Sequence, residues 1–153
     1  MQVSVFLGLS LDGYIAREDF GLDWLSMVET VPPENTGYAE FWASVDVVMM
    51  GRHTYDSVLS FTPWPYAGKP LMVLSTRLTD ARHGETFHAG PLPSLIEQLR
   101  QQRHRRAYLD SGVAVLRSGR PLFRSGLPES RWTLTASRSF PGGLVQAAYQ
   151  HQS

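Results

Sequence analysis

Apolar residues in this chain gather in short runs separated by stretches that break regular structure, and the spacing inside each run predicts an element. Val3 to Leu9 is almost continuously apolar, interrupted only by Ser4 and Gly8. That pattern predicts a strand buried on both faces, in the middle of a sheet. Val45 to Met50 is a second run of this kind, and Leu71 to Ser75 and Ala107 to Leu109 predict two more strands. Tyr55, Val58 and Leu59 fall at helical spacing, and Tyr38 to Ala43 predicts a short helix. Leu92, Ile96 and Leu99 mark one apolar face, and Ser94-Leu95-Ile96-Glu97 has the capping-box pattern, so a helix is expected from Pro93 to about residue 102. Trp132 to Ser137 alternates with period two, as a half-buried strand does. Pro141-Gly142-Gly143 then turns the chain, and Leu144 to Tyr149 pairs back as an antiparallel hairpin.

The breaks between these runs are where ligands are commonly held. Ser10 to Asp23 is rich in Gly and Asp, with no sustained period, and predicts a long loop beside a core strand. Val31 to Gly37 and Phe61 to Pro70 are proline-punctuated connections. Most informative is Met50-Gly51-Arg52-His53-Thr54-Tyr55, where a buried strand meets a helix through one glycine. Two readings stand level on these residues. One is an ordinary strand-to-helix turn. The other is an anion site, in which Gly51 admits close approach of a ligand, Arg52 offers a charged fork and Thr54 a hydroxyl.

The run Met50 to Ser57 resembles the cofactor-binding turn of dihydrofolate reductase, which reads Met-Gly-Arg-x-Thr followed by an aromatic residue. Ser10-Leu11-Asp12-Gly13-Tyr14-Ile15-Ala16, Asp23-Trp24-Leu25 and Val73-Leu74-Ser75-Thr76-Arg77 extend the likeness. Together they resemble the dihydrofolate-reductase-like proteins related to the reductase domain of bacterial riboflavin biosynthesis, over about the first 115 residues. The resemblance implies a single α/β domain over residues 1–153, with a mostly parallel central sheet flanked by helices and a C-terminal antiparallel hairpin. It implies NADPH as cofactor, held by Gly51, Arg52, His53 and Thr54, and by Ser75, Thr76 and Arg77, which would grip the adenosine 2′-phosphate. Gly8 and Ile15 match the positions that contact the nicotinamide carboxamide. Ser111, Gly112 and Val113 match the turn at the pyrophosphate, with Ser111 replacing the first of two glycines. Trp24 would stand at the mouth of the substrate pocket or, as another large aromatic, in the core beneath the loop. Counting back by the family's spacing puts Asn35 where dihydrofolate reductase has its buried carboxylate. The nearby acids Glu34 and Glu40 do not match that position, and Asp12 and Asp23 in the loop are candidate acid catalysts or, more commonly, turn formers.

A departure follows residue 112. The family continues with a helix and another strand before a Gly-x-Pro-Leu-Phe segment, here Gly119 to Phe123, but only Val113 to Ser118 occupy that passage. A parallel crossover needs a dozen residues or more. About 20 residues are therefore absent, and omission of a segment from the sequence is favoured over its loss from the fold, because a missing strand exposes hydrogen-bonding edges.

Composition narrows the functional classes. Fourteen basic and fourteen acidic residues give zero formal net charge, so neither nucleic acid nor a membrane surface is an expected partner. The cluster Arg100, Arg103, Arg105 and Arg106 suits an anionic partner or, preferably, the solvated end of a helix. The chain has no cysteine, which excludes thiolate catalysis and the zinc deaminase module joined to the reductase in the bifunctional riboflavin enzyme. The five histidines are scattered, and only His53 is expected near a ligand. No metal site, nucleophile elbow or phosphate-loop motif is present in the sequence. The N-terminal run lacks a basic start and cleavage site, so a cytoplasmic protein is expected. The resemblance implies an NADPH-dependent reductase acting on a small heterocycle such as 5-amino-6-(5-phosphoribosylamino)uracil, often as a homodimer. Dihydrofolate reduction and nucleotide binding without turnover remain the alternatives.

Overall fold

A computed structural model describes residues 1–10, 13–17, 36–77, 80–110, 119–122, 126, 128–140 and 145–152. The chain divides into two compact units, Met1–Leu7 with Glu40–Gly112, and Gly8–Ala39 with Val113–Ser153.

The first unit is built on a five-stranded parallel sheet. Its strands are β1 (Gln2–Ser4), β3 (Val47–Gly51), β4 (Leu71–Leu74), β5 (Thr86–His88) and β6 (Arg106–Asp110), in the order β1-β6-β3-β4-β5. β3 is central, and Val47, Val48, Met49 and Met50 are all fully buried. Successive side chains leave a strand on opposite faces, so this continuous run supplies both halves of the core. Val48 and Met50 join Tyr55 and Val58 of α2 (Arg52–Val58), together with Leu71, Val73 and Tyr108. Val47 and Met49 join Met72, Ala107, and Leu95 and Leu99 of α3 (Leu92–Gln101) on the other side. Helices thus flank the sheet on both faces, as the sequence predicts. Phe41 and Trp42 of α1 (Tyr38–Ala43) pack against the first of these clusters.

β1 departs from expectation. The run from Val3 was predicted to be central, yet β1 is at the edge, paired to β6 alone among the described residues, and Val3 and Val5 are about half exposed at 46% and 50%. An apolar run records the tendency to be buried. Which strand takes the centre is settled by pairing between distant segments, and β6 brings its other edge to β3. α3 also starts earlier than its capping-box pattern suggests. Pro91 is the N-cap, Pro93 sits in the first turn, where its missing N–H costs nothing, and Ser94 donates its hydroxyl to the Pro91 carbonyl at 2.7 Å. α3 closes with Arg103 at φ 63°, while the Arg103 and His104 N–H groups return to the carbonyls of Arg100 and Leu99.

The second unit contains two antiparallel pairs. β2 (Tyr14–Arg17), within the predicted loop, pairs with β7 (Gly119–Pro121). Its entry is a tight turn in which Tyr14 N–H reaches Ser10 Oγ at 2.8 Å and Gly13 takes φ +85°, a conformation that favours glycine. β8 (Trp132–Ser139) and β9 (Val145–His151) form the predicted hairpin. They are not half-buried: every residue of β8 is exposed, because no other described strand joins this two-stranded sheet. Among the described residues no helix is long and apolar enough to cross a membrane.

Candidate functional site

In a parallel sheet, ligands bind beyond the carboxyl ends of the strands. β3 and β4 end together, with Gly51 opposite Leu74, so the two segments singled out in the sequence, 51–54 and 75–77, emerge side by side. Arg52 joins them. Its Nη1 donates to the Arg77 carbonyl at 3.3 Å, and its Nε donates to both carboxylate oxygens of Asp56 at 2.8 and 2.9 Å. Ser75 Oγ donates to the same Arg77 carbonyl at 2.9 Å and accepts the Arg77 N–H at 3.1 Å, which folds the chain after β4 into a compact turn. Thr76 and Arg77 are exposed there. His53 is exposed on α2, with its carbonyl accepting Ser57 Oγ at 2.9 Å, and Thr54 is half-buried.

Gly51 does not use the backbone freedom that an ordinary turn would ask of a glycine. Its backbone lies at φ −77° and ψ 163°, an extended conformation open to any residue, so the turn has no need of glycine. A Cβ built on Gly51 meets nothing within 4 Å. Neither strain nor crowding within the chain accounts for the glycine. The missing side chain leaves open space at the strand end, beside Arg52, which suits close approach of a ligand.

Behind this turn, Tyr55 of α2 is buried and donates its hydroxyl to the buried carboxylate of Glu85. Glu85 also accepts the N–H groups of Arg82 and His83, each at 2.8 Å. Burial raises the Tyr55 pKa, and the hydrogen bond to Glu85 adds to it, for a value of about 12. Burial would raise Glu85 too, but the Tyr55 hydroxyl and the backbone donors outweigh it and hold the carboxyl below its ordinary value. Glu85 is therefore an anion that pins α2 to the loop before β5. Sequence reading missed it, since nothing around a lone glutamate after Gly84 signals burial.

The structure brings together Gly51, Arg52, His53, Thr54, Ser75, Thr76 and Arg77 in the first unit. Gly8 and Ile15 lie in the second unit, both half-buried. Glu40 is exposed in the first turn of α1. Asp12, Asp23, Trp24, Asn35, Ser111, Gly112 and Val113, and the short passage before Gly119, lie outside the described residues. Among the described residues no cluster of His, Asp and Glu is suited to a metal ion.

No family model matches the sequence. The uncharacterized protein YwjB of Bacillus subtilis (strain 168) is 30% identical over 169 aligned residues, covering 95% of each chain. Because this chain has 153 residues, the alignment leaves at least 16 positions without a counterpart here (169 less 153). A solved structure from Shewanella sp. PV-4, of a protein provisionally named for riboflavin biosynthesis, superposes over the whole of both chains with a TM-score of 0.84 and 31% identity. A pyrimidine reductase-like protein from Corynebacterium diphtheriae shares the fold, with a TM-score of 0.62 and 11% identity over 99% of this chain and 90% of its own.

Proposed function

Because the chain belongs to the family of the Bacillus YwjB protein, within the riboflavin-reductase-like branch of the dihydrofolate-reductase-like proteins, we propose that it is an NADPH-dependent reductase of a small heterocyclic substrate. The observation that carries this reading is the open space at Gly51, flanked by Arg52 and by the exposed Arg77 at the carboxyl ends of two parallel strands. Two guanidinium groups beside an open strand end suit a group with anionic oxygens. When bound, NADPH supplies the hydride. The chain's part is to bind and orient. Gly51, Arg52, His53 and Thr54 receive the phosphate-bearing end, while Ser75, Thr76 and Arg77 supply hydroxyls and a guanidinium for the 2′-phosphate. By the resemblance, Gly8 and Ile15 would be the positions that contact the nicotinamide, and Ser111, Gly112 and Val113 those that contact the pyrophosphate. By the resemblance, Trp24 and Asn35 would be the substrate contacts, and Asp12, Asp23 and Glu40 are the candidate proton donors. The name of the Shewanella relative favours a substrate of riboflavin biosynthesis.

The test is an NADPH fluorescence titration of the wild type and of Gly51→Ala. The alanine fits the backbone and meets no neighbour, so the variant should melt as the wild type does while binding NADPH at least tenfold more weakly, about 1.4 kcal/mol. A folded variant that binds like the wild type would end this reading. Nucleotide binding without turnover is supported by one observation, the aligned positions that this chain lacks. Saturable NADPH binding with no oxidation of NADPH in the presence of the phosphoribosylaminouracil would favour it.

A further inference from the structure

Pinning α2 to the loop before β5 does not require a charge at Glu85. A neutral glutamine would accept the same Tyr55 hydroxyl without the cost of burying an anion. The use of the charge lies along one short line of contacts. Glu85 Oε1 accepts the hydroxyl of buried Tyr55, and Phe87 of β5 meets the Tyr55 ring edge-on, with centroids 5.6 Å apart and an interplanar angle of 87°. The guanidinium of Arg52 lies over the same ring, with Cζ 5.9 Å from its centroid. A phenol that donates its hydroxyl to an anion becomes richer in electrons over its face, and a cation is drawn to that face. Tyr55, its pKa raised to about 12 by burial, remains such a donor in neutral solution.

Arg52 has two other ties, to Asp56 through Nε and to the Arg77 carbonyl through Nη1. Of the five N–H donors of a guanidinium, three are left without a partner among the described residues. The Arg52 side chain is only 21% exposed, so its contact with the ring counts for more than it would on an open surface. We propose that Glu85, acting through Tyr55, is a positioning residue for a phosphate group: the pair fixes and polarises the ring on which Arg52 rests, and so holds the free donors of Arg52 ready at the strand end. The proposal rests on the reading of that strand end as the cofactor's phosphate site. Neither Glu85 nor Tyr55 touches the ligand. The Glu85 charge by itself repels an incoming phosphate, so positioning and repulsion make opposite demands on Glu85→Gln.

NADPH titrations of the full chain test this in a double-mutant cycle of Tyr55→Phe with Arg52→Gln. Tyr55→Phe keeps the ring and the Glu85 charge and loses only the hydroxyl. Alone it should weaken NADPH about three- to fivefold, the weight of a partly exposed cation–π contact. With glutamine already at position 52 it should weaken NADPH no further. Glu85→Gln, once its melt shows a folded chain, should also bind more weakly. A spectroscopic readout needs no nucleotide: the Arg52 Nε–H resonance, identified by its absence in Arg52→Gln, should shift in Tyr55→Phe. A merely structural role for Tyr55 would give equal losses with arginine or glutamine at position 52. Equal losses, wild-type affinity in Tyr55→Phe, tighter binding in Glu85→Gln or an unmoved Arg52 resonance would each overturn the proposal while leaving the cofactor reading in place. A wild-type chain that binds no NADPH would end the cofactor reading and this proposal with it.

Discussion

Arg77 has its carbonyl occupied twice, by Arg52 Nη1 and Ser75 Oγ, while its side chain is exposed. Its backbone is therefore fixed by neighbours, and replacing the side chain should leave the turn intact. Under the proposed function, Arg77→Ala should weaken NADPH by about ten- to a hundred-fold, the range of a hydrogen bond between charged groups, and leave NADH nearly unchanged. Parallel titrations with the two nucleotides check this, and equal losses would remove the 2′-phosphate role. Arg52 was legible as a ligand fork, but Asp56 one turn later takes its Nε, leaving fewer of its donors for a ligand. The spacing of Arg52 and Asp56 was in the sequence and is an ordinary helix-surface pair. Glu85 was not legible at all, because a buried carboxylate is defined by Tyr55, thirty residues away.

Strands and helices were mostly legible because their apolar spacing is local: β3, β4, β6, α1 and the hairpin stand where the pattern puts them, and α3 does so apart from its earlier start. Their surroundings were less so. Alternation in Trp132 to Ser137 identifies a strand but says nothing of which face meets the unit, and continuity from Val3 says nothing of edge or centre. Of the arginine cluster, Arg100 and Arg103 lie at the end of α3, as preferred, whereas Arg106 opens β6 and its guanidinium donates to Ser44 Oγ and Gln2 Oε1. Arg103 takes the left-handed position that glycine usually fills after a helix, with both carbonyl bonds of that motif formed. Arg103→Gly should relieve about 1–2 kcal/mol of strain, offset in part by about 0.5–1 kcal/mol of glycine's backbone entropy. The net gain of about 0.5–1 kcal/mol would appear as a higher urea midpoint at unchanged slope.

At the scale of the molecule, equal numbers of acids and bases leave no dominant field, so acid sensitivity falls to individual carboxylates held below their ordinary values. The N–H groups of Arg106 and Arg105 lower Asp46, and Glu85 is lowered despite its burial. A depressed folded pKa contributes stability above the unfolded value, and that contribution is lost as pH falls through the folded one. The urea midpoint should therefore hold at neutral pH and fall below about pH 4.5, the ordinary value for a glutamate. Glu85→Gln should lose about 1–3 kcal/mol at pH 7 and then fall less steeply in acid, since the group that titrates is gone. Equal slopes for the two proteins would show that Glu85 is not part of the acid response. The pairing of β1 with β6 reaches further than any of these terms, because it joins Gln2 to Arg106. On a ribosome adding about 5–20 residues per second, the first strand waits roughly 5–20 s for its partner to be made. During that interval the N-terminal run is an unpaired apolar segment, a natural substrate for a chaperone that holds nascent chains.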